Sequence, residues 1–150
     1  MTYRNPLQSY AQVATRTAPP GQLVLMLYDG SVRFLNAALQ GFEKDDPLEF
    51  HQTISNNILR AQAIINELDL SLNVQEGGQF AQTLRGLYQY FDRLLQESNS
   101  RKDPAGIREV LSRISVLREA WDEMLAKSGD PTGVAPADQR PIVTTLEAKG

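Results

Sequence analysis

The chain has 150 residues and a formal net charge of −3, with 15 Lys and Arg against 18 Asp and Glu, a balance that argues against a general nucleic-acid binder. It contains no cysteine, which excludes a disulfide framework, a thiol nucleophile and any Cys-ligated zinc or iron–sulfur centre. The longest apolar runs fall well short of the roughly 20 residues that cross a bilayer, and MTYRNPLQSYAQVATRT lacks the apolar core of a signal peptide. The expectation is a soluble, intracellular protein with one domain.

Residues 1–18 read as a polar arm whose apolar points are Tyr3, Leu7, Tyr10 and Val13. Pro19, Pro20 and Gly21 break the chain, and Pro is welcome in the first turn of a helix. The first helix is expected from about Pro20 to Phe42. Its central run, LVLMLYDGSVRFLNAAL, is apolar on nearly every side. One stripe is Leu23, Leu27, Gly30, Phe34 and Ala37, and a second is Val24, Tyr28, Ser31, Leu35 and Ala38. Gly30 costs about 1 kcal/mol against Ala inside a helix, so a neighbouring backbone is expected to come close there.

The second helix opens at Asp46-Pro47-Leu48-Glu49, with Asp46 as N-cap and Glu49 completing a capping-box-like pattern. Its stripe is Phe50, Ile54, Ile58, Ala61, Ile65, Leu68 and Leu72, and Asn73 with Gly77-Gly78 marks the break after it. The third helix is expected over about Gln79 to Ser98, with Phe80, Leu84, Leu87, Phe91 and Leu94 facing inward. The fourth opens at Asp103-Pro104 and carries Ile107, Leu111, Ile114, Leu117, Trp121 and Leu125, widened by Val110 and Met124, with Arg113 and Arg118 on its outer side. From Ser128 the period stops. The Pro- and Gly-rich stretch 128–150 reads as a disordered tail that holds one short apolar scrap, IVTTL. Short connections make successive helices antiparallel neighbours. The fold class is therefore all-α, an up-down-up-down four-helix bundle over residues 19–127 between a flexible arm and a tail.

Catalytic equipment is missing. A di-metal bundle needs two Glu-x-x-His pairs, yet the single histidine, His51, has Leu48 three residues before it. The acidic groups around Asp46 and around Asp122 read as solvated surface, and no glycine-rich phosphate loop is present. Arg85, Arg93, Arg101, Arg108 and Arg113 alternate with acids, as on an ordinary charged face. A bundle enzyme or metalloprotein thus has little room. No metal, cofactor, nucleic acid or small-molecule substrate is implied.

What remains is surplus apolar helix. Four helices need one inward face each, so a residual groove is expected on the first, second or fourth. Such a groove suits an amphipathic helix. Tyr10 and Val13 are placed to fold back over it, which makes the arm a displaceable lid. A helical adaptor for an unrelated partner helix is the competing reading.

LVLMLYDGSVRFLNAAL after Thr-Ala-Pro-Pro resembles the first helix of the FliS family of flagellar secretion chaperones. NPLQSYAQV is similar to that family's arm, ILRAQAIINELDLSLNVQEGG and LRGLYQYFDRLLQES to its second and third helices, and IREVLSRISVLREAW to its fourth. The resemblance covers about residues 5–125. Pro19 stands where the family often has Ser, and the tail after Ser128 matches nothing in the family core. The resemblance implies a non-catalytic cytoplasmic export chaperone. It would hold the disordered C-terminal segment of flagellin, block premature polymerisation and deliver its cargo to the export gate of the flagellar type III apparatus. The implied partners are flagellin, the gate's membrane protein FlhA and, in some bacteria, other assembly regulators. Residue by residue, the resemblance carries a flagellin-binding and lid role onto Tyr10, Val13, Leu27, Tyr28, Gly30, Ala61, Ile65, Leu72, Leu117 and Trp121, and Asp29 completes the helix-one motif.

Overall fold

The computed structural model describes residues 20–128. They form four helices: α1 (Pro20–Gly41), α2 (Pro47–Leu70), α3 (Val74–Arg101) and α4 (Ala105–Ser128). Each packs against its neighbours in the cyclic order α1, α2, α3, α4 and back to α1, with α1–α2 the most extensive pair and α3–α4 the least. Short connections alternate their directions, so the expected up-down-up-down bundle is what forms. The arm and tail, with Tyr10 and Val13, lie outside the described residues.

Local chemistry sets the helix ends. The Asp46 carboxylate accepts the Glu49 N–H at 3.0 Å, and Pro47 follows it into the first turn. Asp103 does the same for α4, accepting from the Ala105 N–H at 3.0 Å. α2 stops at Leu70, two residues before the expected end, because the Ser71 hydroxyl turns back to the Leu68 carbonyl at 2.7 Å. The expected break at Gly77-Gly78 falls inside α3 as a kink: Gly78 adopts φ 58° and ψ −135°, a conformation for which glycine is suited. One helical turn from Val74 therefore precedes the main body of α3. Lys102 ends α3 with φ 54°, and the Asp103 N–H reaches back to the Ser98 carbonyl at 3.1 Å. The Lys102 ammonium donates to the Asn99 carbonyl (2.8 Å), to Asn99 Oδ1 (2.7 Å) and to Ser55 Oγ on α2 (3.1 Å).

Both stripes of α1 find partners. Tyr28, Ser31, Leu35 and Ala38 are buried, as are Leu25, Leu27 and Gly30, because α1 is gripped by α2 on one side and α4 on the other. From α2 the core takes Ile54, Ile58, Ala61, Ile64, Ile65 and Leu68. α3 is turned relative to its expected face: Ala81, Leu84, Tyr88, Phe91, Leu95 and Ser98 are buried, while Phe80, Leu87 and Leu94 are only half-buried at its edge. The turn brings Tyr88 inward, where its hydroxyl meets that of Tyr28 at 2.6 Å.

Close approach at glycine also differs from expectation. A Cβ on Gly30 would meet a side-chain atom, Ile64 Cδ1, at 3.0 Å rather than a backbone. Backbone contact occurs instead at Gly41, whose Cβ would lie 3.1 Å from the Ile54 nitrogen, and at Gly106, whose Cβ would lie 2.8 Å from the Leu94 carbonyl oxygen and collide with the Ser98 hydroxyl. Gly86 faces open space. Gly106→Ala should therefore destabilise the bundle by about 1–3 kcal/mol through overpacking against a backbone that cannot yield. Gly86→Ala should stabilise it by about 1 kcal/mol through helix propensity. Urea unfolding followed by circular dichroism reads both.

Candidate functional site

The surface features that distinguish this bundle lie in the two seams beside α3. The α2–α3 seam is bridged at two levels. Near one end Arg85 Nε donates to Asp69 Oδ1 at 3.1 Å. Two turns along, Gln62 Nε2 donates to Asp92 Oδ1 at 3.1 Å. Between the bridges is a pocket of about 400 Å³ with the near-buried Ile65 and Tyr88 at depth and Asn66, Asp69, Gln89, Asp92 and Arg93 on its walls. Outside it runs a line of leucines on α2: Leu48, Leu59 and Leu70 are 63%, 57% and 66% exposed. Their spacing of three helical turns keeps them nearly in line, with a drift of about 20° per step.

The α3–α4 seam is polar at one end, where a pocket of about 170 Å³ is lined by Leu94, Ser98, Arg101, Gly106 and Glu109, and apolar at the other. At the polar end Gly106 sits against the Leu94 carbonyl. A polar clasp follows: the Tyr90 hydroxyl donates to Glu109 Oε2 at 2.7 Å, Arg113 Nε donates to the same oxygen at 3.1 Å, and the guanidinium lies 5.9 Å from the Tyr90 ring centroid. On α4, Leu117 and Met124 continue the line of Gly106 and Arg113. On α3, Leu87 and Phe80 continue the line of Leu94 and Tyr90. These last four are half-buried apolar side chains, and no polar clasp joins the helices at their level among the described residues.

The rest of the bundle is tied more firmly. Arg118, expected on the outer side of α4, instead turns to α1: its Nε donates to Asp29 Oδ1 at 2.7 Å, and Glu119 and Asp122 stand at 3.3 and 3.5 Å. The hydrogen bond to Asp29, with the surrounding acids, holds the guanidinium charge more firmly than usual. Trp121 Nε1 donates to the Gly21 carbonyl at 2.9 Å, closing the first turn of α1 onto α4.

Leu27, Tyr28, Gly30, Ala61 and Trp121 therefore pack the bundle itself, and Ile65 packs it while also lining the α2–α3 pocket. Leu72 is half-buried just beyond the end of α2, and Leu117 is half-buried in the α3–α4 seam. The reading from sequence missed Phe80, Leu87 and Met124 as seam residues and missed the α2 leucine line, although the regular spacing of Leu48, Leu59 and Leu70 was visible. His51 is exposed and stacks edge-on to Phe50 with ring centroids 5.1 Å apart. Among the described residues, no group of three or more His, Cys, Asp or Glu is placed to hold a metal ion. Among them also, no helix is long and apolar enough to cross a membrane.

By architecture this is an antiparallel four-helix bundle in which α1 has the most extensive contacts and α3 the least. Beyond architecture, the chain belongs to the FliS family: the family model described as flagellar protein FliS matches residues 3–128. The flagellar secretion chaperone FliS of Bacillus subtilis is 33% identical over 125 residues, covering 83% of this chain and 90% of that protein. The Salmonella typhimurium protein of the same name is 34% identical over 126 residues, covering 81% and 91%. That of Escherichia coli is 31% identical over 122 residues, covering 79% and 88%. The family is one of flagellar export chaperones rather than enzymes, and a flagellar protein is the kind of partner it implies.

The buried tyrosine pair gives the bundle a measurable signature. Burial pushes the Tyr28 hydroxyl above its ordinary value of 10.0; burial, the neighbouring Tyr28 and Asp69 push Tyr88 well above it. The neutral hydroxyls are the favoured form in the fold. Their contribution is complete below pH 10 and lost as pH rises from there through the raised native values. The urea midpoint of the native chain should fall between about pH 10 and 11 more steeply than that of a Tyr28→Phe, Tyr88→Phe variant.

Proposed function

We propose that this protein is a cytoplasmic export chaperone that holds the C-terminal segment of flagellin against the seams beside α3, keeps it from polymerising and presents it to the flagellar export gate through FlhA. Membership of the FliS family supports the general role. The observation that carries the finer reading is the α3–α4 seam, where Phe80, Leu87, Leu117 and Met124 leave apolar surface on the edge of the core. A guest helix laid there removes that surface from water at about 25 cal/mol per Å². A segment without structure of its own gives up about 2–5 kcal/mol in ordering as it binds, which keeps a large interface releasable. The bundle needs no nucleotide site for release, since the export machine supplies the energy.

Each seam offers a different chemistry. The α3–α4 seam is apolar. The α2–α3 seam offers a pocket walled by amides, carboxylates and the Arg93 guanidinium, and Leu59 and Leu70 are exposed on α2. A guest with one apolar face and polar flanks uses both by crossing α3. In the free protein the arm, through Tyr10 and Val13, acts as a displaceable lid over apolar surface. Contacts with other assembly regulators belong to the same reading.

Leu117→Asp should weaken binding of the flagellin C-terminal segment at least about tenfold, because a charge placed in an apolar contact loses its solvation. Val116→Asp, at a site 66% exposed on another side of α4, should leave it unchanged. Calorimetry reads the affinities and circular dichroism verifies that both variants remain helical. Equal affinities for the two variants, or equal binding of flagellin with and without its last helical segment, would overturn the reading. Deleting residues 1–17 should raise partner affinity or self-association; size-exclusion chromatography showing neither would remove the lid.

A further inference from the structure

We propose that the outer face of α2 is a twofold interface on which two copies of this chain pair antiparallel, α2 against α2, with Leu59 on the axis. Four large apolar side chains are exposed among the described residues, and three of them, Leu48, Leu59 and Leu70, stand on this face. At about 100° per residue, no position within about 40° of Leu59 around the helix carries a charge. The charged residues of α2, Glu49, Arg60, Glu67 and Asp69, and with them His51, all stand about 80° or more to either side. Arg60 turns to Phe34 on α1, and Asp69 to Arg85 on α3. The strip therefore points outward between those two neighbours, with α4 diagonally behind it.

The order of the strip selects a second copy as its occupant. Along the helix it runs Leu48, Gln52, Ser55, Leu59, Ala63, Asn66, Leu70: large apolar, amide, small, large apolar, small, amide, large apolar. The steps between them are four, three, four, four, three and four residues. Chemistry and spacing thus repeat in both directions from Leu59. A closed twofold interface demands this self-complementarity, because each residue must suit its mate and the reverse. In antiparallel register Leu59 meets its own copy, Leu48 meets Leu70, Gln52 meets Asn66 and Ser55 meets Ala63. An unrelated partner helix imposes no such symmetry on its receptor. Gln52 and Asn66 are exposed, and their amides bond to nothing else among the described residues. An amide both donates and accepts, so the two can bond to each other. The Ser55 hydroxyl is already committed to Asn99 at 2.9 Å, which leaves a small neutral surface opposite Ala63.

The strip is about 33 Å long and about 10 Å wide. Two copies bury at least about 700 Å² across it, below the roughly 1,200 Å² of a standard interface. The dimer is accordingly weak and forms with rising concentration. It does not involve α4, so it goes beyond the guest reading and stands or falls separately from it.

Sedimentation velocity of the full chain between about 5 and 500 µM, the range in which a small interface associates, should show the mass rise from 16.7 kDa towards twice that. Leu59→Arg sets two like charges face to face on the axis and should raise the dimer dissociation constant at least about tenfold. Val116→Arg, on α4, should leave it unchanged, and circular dichroism verifies that both variants stay helical. A mass fixed at one chain across that range, or equal effects of the two substitutions, overturns the proposal. Register is read with cysteine, which the native chain lacks. Under diamide, Leu59→Cys alone should form a disulfide-linked dimer. Leu48→Cys mixed with Leu70→Cys should link much faster than Leu48→Cys alone, whose thiols stand about 33 Å apart in this register. Linking of Leu48→Cys alone at the rate of the mixture overturns the antiparallel pairing. Absence of a Leu59→Cys dimer at the top of the concentration range overturns the second copy as occupant, leaving the strip to this chain's own termini or to another protein.

Discussion

The structure depends on the need to bury α1 on nearly every side. A helix with apolar residues around most of its circumference cannot be covered by one partner. Here α2 and α4 close on it from two directions, with Gly30 against Ile64 and Gly41 against the Ile54 backbone, while Trp121 fastens its first turn. That arrangement commits the best apolar surface of α2 and α4 to α1. α3 packs on what is left, and its two seams are the least extensive in the bundle. The sparser packing beside α3 is thus a consequence of the closure around α1.

The polar groups at the seams fix geometry more than they add stability. Arg118 with Asp29 and Arg85 with Asp69 are short, but each pair keeps substantial access to water, and such pairs contribute about 0–1 kcal/mol. Their value lies in setting the height and rotation of one helix against the next. The Tyr28–Tyr88 pair does this more strictly, because it is buried and ties α1 to α3 across the core. A buried hydroxyl that loses its partner costs about 1–3 kcal/mol. Rotating α3 to bring Phe80, Leu87 and Leu94 inward would separate that pair.

Helix positions were legible because their signals are local. Asp46-Pro47 and Asp103-Pro104 are caps that act on their own first turns, and the Gly77-Gly78 break became a kink at Gly78. The rotation of α3 was not legible. Periodicity alone places Leu87 and Leu94 as readily inward as Tyr88 and Leu95, and only a partner on a distant helix decides between them. The same holds for Arg118, which looks like a surface residue until Asp29 appears 89 positions away, and for Gly106, whose meaning lies in the Leu94 carbonyl. Of the candidate site, Leu117 and Ile65 were placed on the right helices. The seam partners of Leu117 on α3 were hidden by that same rotation.

The contact at Gly106 has a mechanical side. With the α4 backbone resting on the Leu94 carbonyl at one end and only half-buried side chains at the other, α3 and α4 are arranged like a pair of tongs with a fulcrum. Met124 lies about 27 Å from that fulcrum at 1.5 Å per residue. A tilt of about 5° at the pivot therefore widens the far end by about 2.4 Å over that arm, while the fulcrum itself hardly moves. Arg118 and Trp121 pin the far end of α4 to α1, so such a tilt falls on α3.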